Sequence, residues 1–128
     1  MYVADTHSLI WYMTEDRRLG NDAKRTFEKA DKGEAIMVIP TIVLMEALFI
    51  TRKHKVELKF KKVLEKIHDS WNYLIYPLDF AIVLKSQELE TISDMHDRVI
   101  VATAKLLNAK VITKDSDIIG SKEIENIW

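Results

Sequence analysis

Four carboxylates at structurally marked points bound the chemistry available to this chain: Asp5, Glu46, Asp97 and Asp115. Asp5 stands in YVADTHSLIW, where an apolar strand-like run hands over to a helix, a position at which Asp is a preferred N-cap. Glu46 sits in IVLMEALFI, and its helical partners Ile42, Val43, Phe49 and Ile50 cannot pair its charge. A carboxylate on a mostly buried helix is costly, so Glu46 needs either a distant partner such as an Arg or a functional role. Asp97 opens a helix in SDMHDRVIVATAKLL, where an acid complements the helix dipole. Asp94 can cap that helix and meet Arg98 one turn on, and is expected to be structural. Asp115, in VITKDSDI, is placed to shape a turn after a strand, as is Asp117, and Thr113 offers a hydroxyl on the same face as Asp115. Gathered at one point, such acids repel one another. The usual compensation is a hard divalent cation with oxygen ligands, Mg²⁺ or Mn²⁺, and phosphodiester cleavage is a common use of it.

The elements that would gather them follow from the hydrophobic pattern. Met1 to Ala4 reads as a strand and Thr6 to Met13 as a helix. Asn21 or Asp22 is expected to cap a second helix ending near Lys32, closed by Gly33. Ala35 to Ile39 is the next strand. Pro40 suits the first position of a third helix reaching about Lys53, and a fourth is expected near Glu57 to Ser70. Tyr73 to Tyr76 is a strand stopped by Pro77, and Asp79 is placed to cap a helix from Phe80 to Thr91. Ser93 or Asp94 caps a helix from about Met95 to Asn108. Lys110 to Ile112 is a strand, and Ile124 to Trp128 an edge strand. Strands separated by helices imply parallel neighbours with right-handed crossovers, hence an α/β fold: a three-layer α/β/α sandwich with a mainly parallel central sheet. Sites in such sheets lie at the carboxyl ends of the strands, which puts Asp5 and Asp115 on one edge. Glu46 is the awkward member, about 9 Å down an ideal helix from Pro40 at 1.5 Å per residue. Either that helix starts later or it leans across the site.

Length and composition suit one domain spanning residues 1–128, with 48% hydrophobic and 30% charged residues. Without cysteine there is no disulfide framework, thiolate zinc site or cysteine nucleophile. Met1 to Ala4 lacks the basic start and the length of a signal peptide, and Thr41 to Ile50 is too short to span a membrane, so a cytoplasmic protein is expected. A net charge of −1 is a weak sign of nucleic-acid binding, but the segment Arg52 to Lys66 carries seven basic and two acidic residues. Arg52, Lys53, Lys55 and Lys59 are its candidate RNA contacts, against the alternative of a solvated helix face.

With these residues in place the chain resembles the PIN-domain family, and within it the VapC-like toxins of toxin–antitoxin pairs. VADTHSLIW is similar to the family's opening and gives Asp5 the first acid. VLMEALFI gives Glu46 the second. DMHDRVIVATA gives Asp97 the third, with Asp94 at the preceding acidic position and Met95 where the family commonly has Pro. VITKDSDI gives Asp115 the fourth, with Thr113 its usual neighbour, and IENIW resembles the last strand.

This resemblance implies an endoribonuclease in which carboxylates hold one or two Mg²⁺ or Mn²⁺ ions, and metal-activated water attacks phosphorus in line. Asp5, Glu46 and Asp97 would be metal ligands, directly or through water. Asp115 would bind a second ion or position water, while Thr6 and Thr113 would orient carboxylates or water. The implied partners are an RNA substrate, a VapB-like antitoxin and a second copy of the chain in a homodimer. His7 and His96 adjoin the acids without the spacing of a zinc pair. Trp11 and the third helix are expected to serve core packing first, or else a homodimer face or antitoxin groove. Two rivals stand beside this reading: a catalytically inactive PIN-like module that binds RNA or protein, and a phosphoryl-accepting receiver module. The receiver lacks support, since Asp5 is followed by Thr6 rather than a paired acid and the third strand ends in Tyr76-Pro77.

Overall fold

A computed structural model of the chain describes residues 1–54 and 59–128. Its strands are short runs dominated by Val, Ile and Tyr: β1 (Tyr2–Ala4), β2 (Met37–Pro40), β3 (Tyr73–Tyr76), β4 (Lys110–Ile112) and β5 (Asn126–Ile127). Between them lie α1 (Thr6–Met13), α2 (Asn21–Asp31), α3 (Thr41–Lys53), α4 (Phe60–Asp69), α5 (Phe80–Gln87), α6 (Met95–Leu107) and α7 (Ser116–Ser121). All five strands are parallel in the order β3-β2-β1-β4-β5, with Val3 in register with Val38 and Val111. The central strands carry no alternation. Val3, Ala4, Met37, Val38, Ile39, Val111 and Ile112 are all fully buried, as a sheet covered on both faces requires.

Chain direction explains the layers. From β1 the sheet grows outward through β2 to β3, then the chain crosses back to β4 beside β1 and on to β5. Right-handed crossovers put connections running in opposite directions on opposite faces. The core divides accordingly. Leu9, Phe27, Val63 and Ile67 from the early helices pack with the sheet, while Ile82, Val101, Ala102 and Ile118 gather around α5, α6 and α7. The reversal of strand order falls between β1 and β4, and the carboxyl ends of these two strands flank the crevice where such sheets bind ligands. The three-layer sandwich expected from the sequence is therefore present, with a wholly parallel sheet.

Several boundaries differ from expectation for identifiable reasons. The cap of α2 is Gly20, not Asn21 or Asp22, and it makes no side-chain capping bond. A Cβ on Gly20 would lie 2.5 Å from the carbonyl carbon of Trp128, so a side-chain cap has no room there. Pro40 ends β2 and caps α3, which begins at Thr41. Helix α5 stops at Gln87, short of Thr91; Leu89 and Ile92 beyond it are buried as anchors of the connecting loop. The last strand shrinks to Asn126–Ile127, and α7 stands where only a turn was expected. Asp79 caps α5 as anticipated, accepting from the Ile82 amide at 3.0 Å. The expected start of α4 at Glu57 lies outside the described residues, within which α4 begins at Phe60.

Candidate active site

Three helices begin at the switch point, and each begins with an aspartate. Asp5 caps α1, its Oδ1 accepting from the Ser8 amide at 2.6 Å. Asp94 caps α6, accepting from the His96 and Asp97 amides at 2.8 and 3.1 Å. Asp115 caps α7, accepting from the Asp117 and Ile118 amides at 2.8 and 3.2 Å. The structural and chemical readings of these residues are compatible, because a cap spends one oxygen on the backbone and leaves the other free. The partial positive charge of three N-termini also favours anionic groups there.

The strand ends are tied together beneath them. The Asp5 amide donates to the Ile112 carbonyl at 3.2 Å, and the Ser8 hydroxyl donates to the same carbonyl at 3.1 Å. The buried Thr113 hydroxyl is hydrogen-bonded to the Asp5 carboxylate and accepts from the Asp115 amide at 2.9 Å. Thr113 thus couples the acid after β1 to the acid after β4. Thr6 is buried beside Asp5 at the start of α1.

One cavity of about 620 Å³ brings these groups together, its wall including Asp5, Thr6, Glu46, Asp94, Asp97 and Asp115. All four acids singled out from the sequence line it. Glu46 gets there because α3 packs against both α1 and α6, so that its second turn leans over the strand ends; the helix does not start late. The premise of a mostly buried α3 fails, however. Met45 and Phe49 are 54% and 65% exposed, and only Val43, Ala47 and Thr51 are buried. No Arg pairs with Glu46 among the described residues. His96 instead stands between two acids, its Nδ1 3.5 Å from both Glu46 Oε2 and Asp94 Oδ1. The expected Asp94 to Arg98 pair is absent, since the Arg98 guanidinium turns to the Ile92 carbonyl.

The electrostatics show uncompensated negative charge. The Asp97 carboxyl is pushed up to about 7, first by burial and then by Asp115, Asp94, Glu46 and Asp5 around it. The Asp5 carboxyl is also raised, by burial, although hydrogen bonds from Thr113 and Ser8 and the nearby His7 pull it partly back. Carboxylate oxygens of Asp97, Asp115 and Asp117 lie within 4.8 Å of one another, a spacing that suits a shared hard cation. Asp117 was read from the sequence as a turn residue only. Its signal was weak because α7, six residues long, is too short to show helical periodicity.

None of the described residues of the basic segment lines this cavity. Arg52 lines a different, shallow depression with Phe60, Lys61 and Leu64, and Lys59 lines a cleft of about 1110 Å³ bounded by α1, α2 and α4. Lys53 is exposed at the end of α3, and Lys55 lies outside the described residues. Among the described residues, the lysine and arginine that do line the acidic cavity are Lys114 and Arg18, neither marked by the sequence pattern.

Comparison with known proteins bears on the family and the fold. The PIN domain family model matches residues 2–121. No curated protein matches the chain at a significant level. Among solved structures, a VapBC complex of Rickettsia felis bound to a promoter DNA fragment is similar at a TM-score of 0.73 and 17% identity, covering 98% of this chain and 96% of that one. A VapC toxin of Mycobacterium tuberculosis that cleaves the sarcin-ricin loop gives 0.72 and 14%, covering 98% of both chains. A toxin–antitoxin complex from Klebsiella pneumoniae gives 0.65 and 22%, covering 100% of this chain and 97% of that one. At these identities the likeness speaks for the fold.

Proposed function

The chain belongs to the PIN-domain family, and we propose that it is a metal-dependent endoribonuclease acting as the toxin of a VapBC-type pair. The observation that carries this reading is the clustering of Asp5, Glu46, Asp94, Asp97 and Asp115 around one cavity with the Asp97 carboxyl driven up to about 7. Such a cluster is an unstable arrangement by itself and a good one for Mg²⁺ or Mn²⁺. Asp5, Glu46 and Asp97 would hold the ion directly or through water. Asp115, now with Asp117 beside it, would hold a second ion or a water. When bound, such an ion would supply a water of lowered pKa and offset negative charge at the scissile phosphate, and cleavage by that water would leave 5′-phosphate and 3′-hydroxyl ends.

The chain's own residues do the positioning. Thr113 fixes the Asp5 carboxylate against the turn that carries Asp115, and Thr6 packs beside it, so that neither acid swings when the charge on the site changes. His96, between Glu46 and Asp94, restrains the acid on α3, which stands in the second turn of that helix and away from the strand end at Pro40.

An antitoxin partner is supported by neighbours that are themselves toxin–antitoxin or VapBC complexes. A homodimer is supported by the exposed apolar residues on and around α5: Phe80 is 73% exposed, Leu84 is exposed, and the exposed Leu78, Val83 and Met95 line one depression. No described helix is long and apolar enough to cross a membrane. An inactive PIN-like module would have no reason to keep the full acidic set together at such electrostatic cost. The receiver reading is disfavoured by the strand order, which differs from the 2-1-3-4-5 order of such modules.

The test is incubation of the purified protein with structured RNA and Mg²⁺, with EDTA and Asp97→Asn as controls. Cleavage is expected only in the uninhibited wild type, and cleavage that survives both controls would sink the mechanism.

A further inference from the structure

A polyanionic strand entering the acidic cavity meets five carboxylates, and among the described residues only two permanently charged cations line the same wall, Arg18 and Lys114. Both are set on Trp11. The Arg18 guanidinium carbon lies 4.8 Å from the indole centroid and the Lys114 Nζ 4.5 Å, with Lys114 also 5.8 Å from the Trp128 ring. The platform is rigid. Trp11 is only 6% exposed and packs edge-on against Trp128 at 5.7 Å, with the His7 ring at 5.5 Å on its other flank.

From these positions we infer that Arg18 and Lys114 together hold the RNA phosphate next to the one being cut, and so fix the strand in register with the acids. The inference rests on the nuclease reading of the cavity. Two cations over one indole repel each other, and an anion bridging them relieves that repulsion. Asp16 does so in part: it accepts from Arg18 Nε at 3.0 Å and Nη2 at 2.7 Å and lies within electrostatic reach of Lys114, which leaves the other terminal nitrogen of the fork and the Lys114 ammonium for a ligand. Lys114 forms no ion pair with the described residues. Being exposed, it stays available to substrate, while its stem lies along fixed aromatic rings and loses little rotamer freedom on binding.

Chain connectivity gives the register. Lys114 lies between Thr113 and Asp115, in the same turn that delivers an acid to the site. A phosphate on Lys114 therefore places its neighbour over the carboxylates. The two positioning residues act on the flanking phosphate, whose charge does not change during the reaction, so they contribute mainly to binding rather than to the chemical step.

The experiment is steady-state cleavage of a single-stranded RNA oligonucleotide by the full chain with Mg²⁺ across a monovalent salt series. Lys114→Gln and Arg18→Gln are compared with Lys114→Arg, with Arg25→Gln as a control for net charge and Asp97→Asn as the inactive reference. Either Gln substitution at the shelf is expected to raise KM about five- to thirtyfold with kcat within about threefold. The slope of log(kcat/KM) against log salt should flatten by about 0.7, the value for one phosphate contact to a single strand. Lys114→Arg should restore both, and Arg25→Gln should change neither. Wild-type KM and slope in both Gln variants, alongside an inactive Asp97→Asn, overturns the inference while the nuclease reading stands. A loss confined to kcat, with KM and slope unmoved, also overturns it. Absence of any RNA cleavage by the wild type overturns both.

Discussion

If the acidic cavity is a cation site, then without a cation it destabilises the fold, and removing one charge should stabilise it. Asp97 is the residue to change, because its carboxyl has moved from 3.8 to about 7. At about 1.36 kcal/mol per unit of pKa this is roughly 4 kcal/mol for a fully buried group. Asp97 is only half-buried, and solvent screening reduces the figure to about 1–2 kcal/mol. Asparagine preserves the shape of the side chain but gives up the favourable first-turn charge on α6, a loss of about 0.5 kcal/mol. The net expectation for Asp97→Asn in EDTA is a gain of about 0.5–1.5 kcal/mol above pH 7. For a chain of this length that is a rise in Tm of about 2–6 °C.

The sign with pH makes the prediction specific. Between about 4 and 7 the folded protein holds the Asp97 proton and the unfolded chain has released it, so wild-type stability falls as pH rises through that window and levels off above it. The gap between variant and wild type should therefore open from near zero at pH 4 to its full size by pH 7. It should close when Mg²⁺ is added, since a ligand at a hundred times its Kd stabilises the wild type by about 2.7 kcal/mol and should bind the variant less well. Thermal melts at matched ionic strength, with and without Mg²⁺, measure all of this. A variant no more stable than wild type at pH 8, or a gap independent of pH, would refute the reasoning.

Three further outcomes are expected. Asp5→Asn keeps a good N-cap on α1, so the protein should fold normally while RNA cleavage falls more than about a hundredfold, since even loss of a residue that only supports a metal ligand costs about 10–100-fold. Gly20→Ala should cost about 1–3 kcal/mol in denaturant melts because its Cβ meets the Trp128 backbone; wild-type stability would mean that the end of the chain yields freely. Asp79→Ala should cost about 1 kcal/mol through loss of the α5 cap and leave cleavage unchanged, an expectation undone by any marked loss of activity in the folded variant.

What could be read from the sequence followed local rules. Asp79 as the cap of α5 and Asp94 among the two candidate caps of α6 are signals contained within a few residues, and both read correctly. The parallel sandwich was equally legible, because alternating strand and helix runs leave few other solutions. Where the reading failed, the deciding contact lay outside the local pattern. Nothing near Gly20 in sequence says that Trp128 will occupy the space a capping side chain needs; Arg98, by contrast, is drawn from Asp94 by a near neighbour in sequence, the Ile92 carbonyl, in a loop whose shape the helical pattern does not encode. Glu46 reached the cavity although the reason given for it, burial among apolar neighbours, does not hold for a helix that exposes Met45 and Phe49.

The same distinction separates the acids from the cations of the cavity. A carboxylate at a strand end or helix start advertises itself, because the backbone needs an acceptor there whatever the function, and the fold then collects three such starts at one switch point. A lysine advertises nothing, since most lysines are solvated. The run from Arg52 to Lys66 drew notice by number, yet Lys61 leans toward Glu65 and Lys66 is paired with Asp31 and lies over the Tyr12 and Tyr73 rings, so part of that charge is already spent on the fold. Arg18 and Lys114 are isolated in sequence and are joined only by Trp11, itself buried as a core residue. Local density of charge thus says little about which cations lie beside the acids in a nearly neutral protein. What counts is which cations share a wall with the acids and keep a donor free, as Lys114 and one terminal nitrogen of Arg18 do, and that depends on the packing of Trp11 on α1 against the turn after β4.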